Sequence, residues 1–306
     1  MFVKKFLPNL MVIAIIMVAS PAALSQDDDK TLFQKYFTDC NAGRSADVPK
    51  EVSTESKRAK YWLNSLESSL LKTGKSSVCA TDAILDIARY DKENKSVGRI
   101  AVNLLTTKLE QGGLNDYIID RMDDLPSNFF LEIHKQRIHA LAQKKETAHR
   151  DKMIDLLTLL NYEPGYTLAY TELQNPNLSK AKLFKYHAVF AKRGHEPSIA
   201  WLTQQIEGRK VDQQALYGVV PHLLATRQKS LVQWVVDGLY ESENLCSSSD
   251  DRKGHCGVLI LEQLAPVIKD FPIQADESGL IAENDADALE TAKAWFKNNP
   301  NYSMVK

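Results

Sequence analysis

The sequence predicts an all-α protein made of stacked antiparallel helical hairpins, and three observations predict it. Glycine and proline number 13 and 11 among 306 residues, about 8%, where ordinary proteins have roughly 12%. So few turn residues argue against the many turns of an all-β fold. Apolar residues recur at helical spacing through most of the chain. The breaks between these stripes are short, so helices of about 12 to 18 residues would lie antiparallel to their neighbours.

Each apolar stripe marks one predicted helix. In the N-terminal half the stripes run through residues 63–71, 97–105, 131–142 and 153–160, and in the C-terminal half through 183–191, 199–206, 216–224, 231–239 and 288–296. Glycines such as Gly74 and Gly194 stand where helices would stop, and prolines such as Pro126 and Pro197 where they would start. We find no alternating apolar and polar run long enough for a strand, and about thirteen helices are expected.

Residues 1–25 have the three parts of a secretory signal peptide. Two lysines come first, an apolar run from Leu10 to Ala19 follows, and Ala23 and Ser25 occupy the −3 and −1 positions of a cut before Gln26. A run of ten residues is too short to span a bilayer, which needs about 20. An uncleaved anchor helix is the alternative. We therefore expect residues 26–306 to form a periplasmic or secreted protein with no stable membrane insertion.

Export changes how the four cysteines are interpreted, because thiols in an oxidising compartment pair. Four cysteines allow three connectivities. We predict Cys40 with Cys79 and Cys246 with Cys256, since each pair is nearest in sequence. A zinc site is the competing use, but no C-x-x-C occurs and His255 beside Cys256 is the one His–Cys neighbour pair. We predict no metal site.

An internal repeat favours stacked hairpins over a single closed bundle. Residues 183–206 line up with residues 216–239, and each block is predicted as a helix, a short basic turn and a second helix. The turns differ in length by two residues. Repeats are clearer over 176–306 and looser over 31–175, within one predicted α-helical repeat domain, and a compact helical bundle is the remaining alternative.

The turn Arg193-Gly194-His195-Glu196-Pro197, followed by a helix opening with Ile199-Ala200-Trp201-Leu202, resembles a degenerate HEAT-type repeat. The last stripe, 288–296, followed by Asn298-Asn299-Pro300, resembles a terminal capping helix. The resemblance covers about residues 180 to 300 well and residues 55 to 175 loosely. It implies an irregular α-solenoid, a HEAT-like superhelix, that serves as a protein-binding surface or scaffold.

Charge and motifs exclude several classes of function. With 38 basic and 39 acidic residues the formal net charge is −1, so a purely electrostatic nucleic-acid binder is excluded and no nucleic-acid partner is expected. The sequence has no phosphate loop, no dinucleotide fingerprint and no Gly-x-Ser-x-Gly. We therefore predict no cofactor.

The candidate catalytic residues do not complete a known pattern. Glu67 and Glu277 each precede a serine, as in lytic transglycosylases, but the further motifs of that family do not follow in order. His134 and His139 are five residues apart, so they cannot converge on one metal from one helix. The acidic run 283–287 lacks the glycine and the glutamate of a calcium loop. His134 lies on an apolar stripe, where a buried and hydrogen-bonded histidine is expected.

These observations predict a protein that is not an enzyme but binds a protein or peptide partner as a scaffold or adaptor in the cell envelope. An immunity or inhibitor protein is a specialised version, and a polysaccharide hydrolase or lyase with a carboxylate-based site is the alternative. Tryptophan, tyrosine and arginine concentrate binding energy at interfaces. The candidate partner-binding residues are therefore Arg193, Trp201, Tyr217, Arg227, Trp234 and Tyr240.

Overall fold

The structure is a computed structural model that describes residues 21–90, 95–113, 115–241, 245–247, 253–276, 279–282 and 284–305. Within these ranges the chain has sixteen α-helices, one 3₁₀ helix and two short β-hairpins. The predicted all-α class is confirmed, and the superhelical stacking stays a prediction. Most of the predicted signal peptide lies outside the described residues, as do Glu277 and Glu283.

The chain divides into two compact units, with the boundary between Tyr162 and Glu163. The single repeat domain predicted over 26–306 stays a prediction. Unit 1 contains α1 Pro21–Asn41, α2 Lys50–Thr54, α3 Ser56–Leu70, α4 Lys75–Tyr90, α5 Lys95–Gln111, α6 Asn115–Met122, the 3₁₀ helix Ser127–Phe129, α7 Glu132–Gln143 and α8 Arg150–Leu159. Its helices α3 and α4, α4 and α5, and α7 and α8 pack against each other, as expected for helices joined by short turns.

Unit 2 contains α9 Glu163–Leu173, α10 Lys180–Lys192, α11 Glu196–Ile206, α12 Gln213–Gly218, α13 Val220–Thr226, α14 Lys229–Glu241, β1 Leu245–Ser247, β2 Lys253–His255, α15 Cys256–Leu264, β3 Ala275–Asp276, β4 Gly279–Leu280 and α16 Asp285–Asn298. Helix α10 packs on α11 and α13, and α14 packs on α13 and α15. One hydrophobic core joins residues of α10, α11 and α12 to α16.

The apolar stripes become buried helix faces, except at the helix ends. Leu63, Leu66 and Leu70 recur every three or four residues along α3 and have no exposed surface. Leu71 and Leu131, which belong to the predicted stripes, are each 40% exposed. They flank a helix, since Leu71 follows the last residue of α3 and Leu131 precedes the first residue of α7, so their side chains leave the buried face.

The helix predicted through residues 216–224 is two helices, α12 and α13, interrupted at Val219. Val219 has φ −121° and ψ −51°, outside the helical region. Pro221 lies in the first turn of α13, where its missing N–H costs nothing, but within a continuous helix it would remove one hydrogen bond. The first half of the second repeat block is therefore split into two short helices.

The two β-hairpins were not expected from the sequence. Strands β1 and β2 pair antiparallel with Cys246 opposite Gly254, and β3 and β4 pair with Asp276 opposite Gly279. Strands of two or three residues are too short to show the period-two alternation by which a strand is detected.

Both predicted disulfides are confirmed. Cys40 on α1 is bonded to Cys79 on α4, with the Cα atoms 6.0 Å apart, and Cys246 is bonded to Cys256, with the Cα atoms 4.9 Å apart. The Tyr36 hydroxyl donates to the Cys79 carbonyl at 2.9 Å, which adds a second tie between α1 and α4. Among the described residues no helix combines the length and apolar character required to cross a membrane.

Candidate binding groove in unit 2

A groove of about 610 Å³ lies in unit 2 between α10, the end of α11, the linker 207–212, α12 and α14. This volume falls within the range of pockets that hold ligands of drug size. The groove is lined by Lys180, Ala181, Phe184, Gln205, Ile206, Arg209, Lys210, Asp212, Gln214, Ala215, Gly218, Val219 and Trp234. Four other cavities in the described residues are smaller, at about 280 to 390 Å³.

The linker 207–212 forms one wall of the groove, and both of its ends are fixed. At the first end, Gly208 has φ +69°, a left-handed conformation that glycine adopts without strain and that turns the chain away from α11. At the second end, the Asp212 carboxylate accepts a hydrogen bond from the Ala215 backbone N–H at 2.7 Å and so caps α12. The wall is a short segment between two defined helix ends.

Helix α14 holds the middle of this linker at two positions one turn apart. The Trp234 indole N–H donates to the Arg209 carbonyl oxygen at 3.0 Å. Four residues on, Gly238 has no side chain, and a Cβ atom there would lie 2.7 Å from a methyl group of Val211. The linker therefore packs directly on the backbone of α14, which only glycine permits at this distance.

The floor of the groove is apolar, and packed aromatic rings support it. Phe184 and Ile206 are buried, and Phe184 meets Trp201 edge to face with ring centroids 6.0 Å apart. Trp201 in turn stacks on His187 at 4.1 Å. Burial lowers the pKa of His187, so its ring is neutral at pH 7 and stacks as an uncharged aromatic group.

His187 also belongs to a small polar cluster at the start of α11. The Oγ atom of the fully buried Ser198 lies 3.1 Å from Nδ1 of His187 and 2.8 Å from Nδ1 of His195. His195 is the residue that precedes α11. One hydroxyl thus joins both rings, and both histidine side chains are half-buried.

The rim of the groove carries three exposed cationic side chains. Lys180 is the first residue of α10, and Arg209 and Lys210 belong to the linker. Asp212 is the one acidic residue that lines the groove among the described residues, and its carboxylate already accepts the capping hydrogen bond of α12. An apolar floor bounded by cations can hold a ligand that combines an apolar group with negative charge.

The two predicted arginines make contacts within unit 2. Arg193 donates two hydrogen bonds to the Glu163 carboxylate, at 3.3 and 2.8 Å, and its guanidinium lies 4.1 Å from the Tyr166 ring centroid. The hydrogen bonds to Glu163 raise the pKa of Arg193. Arg227 has φ +56° and donates to the Val267 carbonyl at 3.5 Å. Neither arginine lines the groove.

Among the four predicted aromatic residues, Trp234 alone lines the groove. Trp201 does not line the groove, but it packs against Phe184, which does. Tyr240 is 51% exposed and donates its hydroxyl to the Lys293 carbonyl at 2.9 Å, and Tyr217 is 44% exposed. The six predicted residues are thus spread over several surfaces of unit 2.

Most groove residues are not among the six predicted partner-binding residues, although two signals were present in the sequence. Arg209 and Lys210 form a basic pair after a predicted helix, but a basic pair by itself fits any helix end. An isolated glycine within a helical stripe marks a place where another segment approaches the backbone closely. Gly238 is such a residue, and it identifies the helix on which the linker packs.

Among the described residues, the catalytic candidates Glu67 and His134 lie on different helices, α3 and α7. Glu67 is an exposed residue of α3. His134 is buried as expected, and its Nδ1 atom accepts a hydrogen bond from the Leu131 N–H at 3.2 Å. Burial, followed by the charge of Arg137, lowers the pKa of His134. The described residues contain no group of three or more His, Cys, Asp or Glu side chains that could hold a metal ion.

A carboxylate pair that the sequence analysis did not single out lies on α4, in unit 1. Asp82 accepts a hydrogen bond from the Tyr117 hydroxyl, and its carboxylate lies 3.6 Å from the Arg121 guanidinium. Asp86, one turn further along α4, lines a cavity of about 390 Å³. Burial, followed by the charge of Asp82, raises the pKa of Asp86. The i, i+4 spacing of the two aspartates was the available signal.

Comparison with known proteins adds no relative. No protein-family model matches the chain, and no curated protein and no solved structure is significantly similar to it.

Proposed function

We propose that this chain is an exported, non-enzymatic helical protein that binds a protein partner in the cell envelope through the groove of unit 2. The groove carries the proposal: its floor is apolar, its wall is fixed at four points and its rim is charged. Fixed walls lower the entropy lost on binding. The HEAT-like stacking of hairpins belongs to the same proposal, because helical arrays commonly serve as binding scaffolds.

Export is supported by the two disulfides and by the residues before Gln26. Structural disulfides are typical of oxidising compartments. A short apolar run with small residues before the cut is typical of a cleaved signal. We expect the exported protein to begin at Gln26, as measured by its intact mass. A species that retains residues 1–25 would contradict this part of the proposal.

The groove is tested by filling it at Gly218. A Cβ atom at Gly218 meets no other atom within 4 Å, so a larger side chain can be placed there without a clash at its base. We expect Gly218→Trp to occupy the groove and Gly218→Ala to leave it open, which makes the pair a matched test and control. Tagged full-length chains are used to capture the partner from the native envelope fraction.

The expected result is capture by the parent and by Gly218→Ala, and a loss of about tenfold or more for Gly218→Trp, which corresponds to about 1.4 kcal/mol. Thermal melting of the three proteins shows whether they fold equally well. Equal capture by well-folded Gly218→Trp would place the binding surface elsewhere and reject the groove. A measurable turnover of envelope polysaccharide that Asp86→Asn abolishes would favour the hydrolase alternative instead.

A further inference from the structure

The charges at the rim of the groove restrict what can occupy it. Lys180 stands on the α10 side, and Arg209 and Lys210 stand on the linker side. All three are exposed basic side chains. A cationic or basic ligand would be repelled by them. The whole chain has a formal net charge of −1, so this rim is a local positive region on a slightly acidic protein.

Carboxylates fit this rim better than nucleic-acid phosphates. A guanidinium such as that of Arg209 can bind a carboxylate through two parallel hydrogen bonds. Nucleic-acid binding draws its affinity from many phosphate contacts, commonly six to ten, whereas three cations line this groove. The negative charge to be bound is therefore the small, localised charge of aspartate or glutamate side chains.

The floor requires an apolar group between those carboxylates. Phe184, Ile206, Val219 and Trp234 supply aromatic and branched aliphatic surface. A volume of about 610 Å³ holds a few amino-acid side chains. A short peptide segment brings a large apolar side chain and two flanking carboxylates together by simple sequence order. It can contact the cations of α10 and of the linker together, because both line the same groove.

We infer that the groove binds an acidic peptide segment of the partner, with a large apolar side chain on Phe184, Ile206 and Trp234 and with aspartate or glutamate side chains on Lys180, Arg209 and Lys210. This inference rests on the proposed function, since it names the ligand of the same groove. Trp234 then has two tasks: its ring contacts the ligand, and its N–H holds the wall.

The probe is a library of random twelve-residue peptides displayed on phage and selected on the full chain without its signal peptide. Four proteins are compared: the parent, Arg209→Glu/Lys210→Glu, Lys144→Glu/Lys145→Glu and Gly218→Trp. Lys144 and Lys145 are an adjacent exposed pair in unit 1, so they control for the change in net charge. Affinities of one synthetic enriched peptide are then measured by fluorescence anisotropy at low and high salt.

We expect the parent to enrich peptides in which aspartate or glutamate flanks an aromatic or branched aliphatic residue. The Arg209→Glu/Lys210→Glu protein should bind the synthetic peptide about tenfold or more weakly, and the Lys144→Glu/Lys145→Glu protein within about twofold of the parent. Binding to the parent should weaken as salt rises. The salt dependence keeps the test decisive even if the charge-reversed protein folds poorly.

Three results would overturn the inference. Enrichment of basic or uncharged peptides that Gly218→Trp still abolishes would reject the acidic ligand and leave the groove as the binding site. Equal enrichment by Gly218→Trp, or none by the parent, would reject the proposed function of the groove as well. Competition by 3-phenylpropanoate at the same affinity as the peptide would assign the groove to small organic acids.

Discussion

Each unit contains an α-helix on which a glycine allows another segment of the chain to pack directly against the backbone. In unit 1 the glycine is Gly98 on α5, and a Cβ atom there would lie 2.3 Å from the ring of Phe129. In unit 2 it is Gly238 on α14, where the nearest atom is a Val211 methyl at 2.7 Å. Phe129 belongs to the 3₁₀ helix, and Val211 to the linker between α11 and α12.

The outcome of this packing differs between the units. Phe129 is an aromatic residue with no exposed surface, and it completes the core of unit 1. Val211 is smaller and half-buried, and the linker that carries it is a wall of the groove. The same kind of contact at a helix glycine thus belongs to a filled core in unit 1 and to a cavity wall in unit 2. The inserted side chains also differ in size, since Phe129 brings a phenyl ring and Val211 an isopropyl group.

The largest expected effect on stability comes from removing a disulfide, and each unit contains one. Replacing both Cys40 and Cys79 by serine should cost about 4 kcal/mol of unfolding free energy, because that bond spans 39 residues in sequence. Replacing both Cys246 and Cys256 should cost about 3 kcal/mol, because that bond spans 10 residues. Urea unfolding of the non-reduced proteins measures both. A larger loss in unit 2 would contradict the entropic explanation.

The glycine substitutions test the comparison directly. Gly98→Ala should cost about 3 kcal/mol, because the fully buried Phe129 ring has no room to move aside. Gly238→Ala should cost about 1 to 2 kcal/mol, because the half-buried linker can shift outward. Urea unfolding provides the values, and Gly218→Ala is the control, with a change near zero because its Cβ meets nothing. Equal losses at Gly98 and Gly238 would mean that the linker is as tightly packed as the core.

Removing the indole N–H sharpens the description of the groove wall. Trp234→Phe keeps an aromatic ring but loses the hydrogen bond to the Arg209 carbonyl, and should cost about 1 kcal/mol. We expect faster amide hydrogen exchange in the linker 207–212 and unchanged exchange around Phe129 in unit 1. Unchanged exchange in the linker would show that Val211 on Gly238 suffices to hold it.

The smallest effect concerns Asp86 in unit 1, whose pKa is raised mainly by burial and then by Asp82 and Asp47, against the charges of Arg89 and Arg121. The folded chain therefore keeps this proton to a higher pH than the unfolded chain does. Stability falls as the pH rises from the ordinary carboxyl range through the raised pKa, and stays lower at pH 7.

Asp86→Asn should remove this loss. The variant should be more stable than the parent at pH 7 and equal to it at about pH 3, where both side chains are neutral. Asp82→Asn is the contrasting variant, because it weakens the hydrogen bond with Tyr117 and the contact with Arg121, and it should be less stable at pH 7. Urea unfolding at both pH values tests the pair, and a variant at Asp86 that is less stable at pH 7 would refute the predicted sign.

The sequence predicted what depends on periodicity and on near neighbours in the chain. The stripe of Leu63, Leu66 and Leu70 predicted a buried helix face, and the spacing of the cysteines predicted both disulfides. The break at Val219 was missed because the apolar stripe continues past Pro221. The prediction gave this stripe more weight than the backbone N–H that Pro221 lacks.

The groove could not be predicted in the same way. It brings Lys180 of α10 and Trp234 of α14 to one cavity although 54 positions separate them in the sequence. Whether a half-buried tryptophan faces a cavity or fills a core depends on the volume of the residues packed around it. That volume depends on how the chain packs, and it produces no periodic pattern in the sequence.

The hydroxyl shared by two histidines in unit 2 has a consequence for where protons reside. Ser198 has one hydroxyl hydrogen, so it can donate to only one of the two Nδ1 atoms that face it. When both rings are neutral, the other ring must donate from its own Nδ1. At least one of the two rings therefore carries its hydrogen on Nδ1, and both can do so because the hydroxyl oxygen can accept two hydrogen bonds. The hydrogen-bonding needs of one buried serine thus constrain the tautomer of the ring that stacks on Trp201.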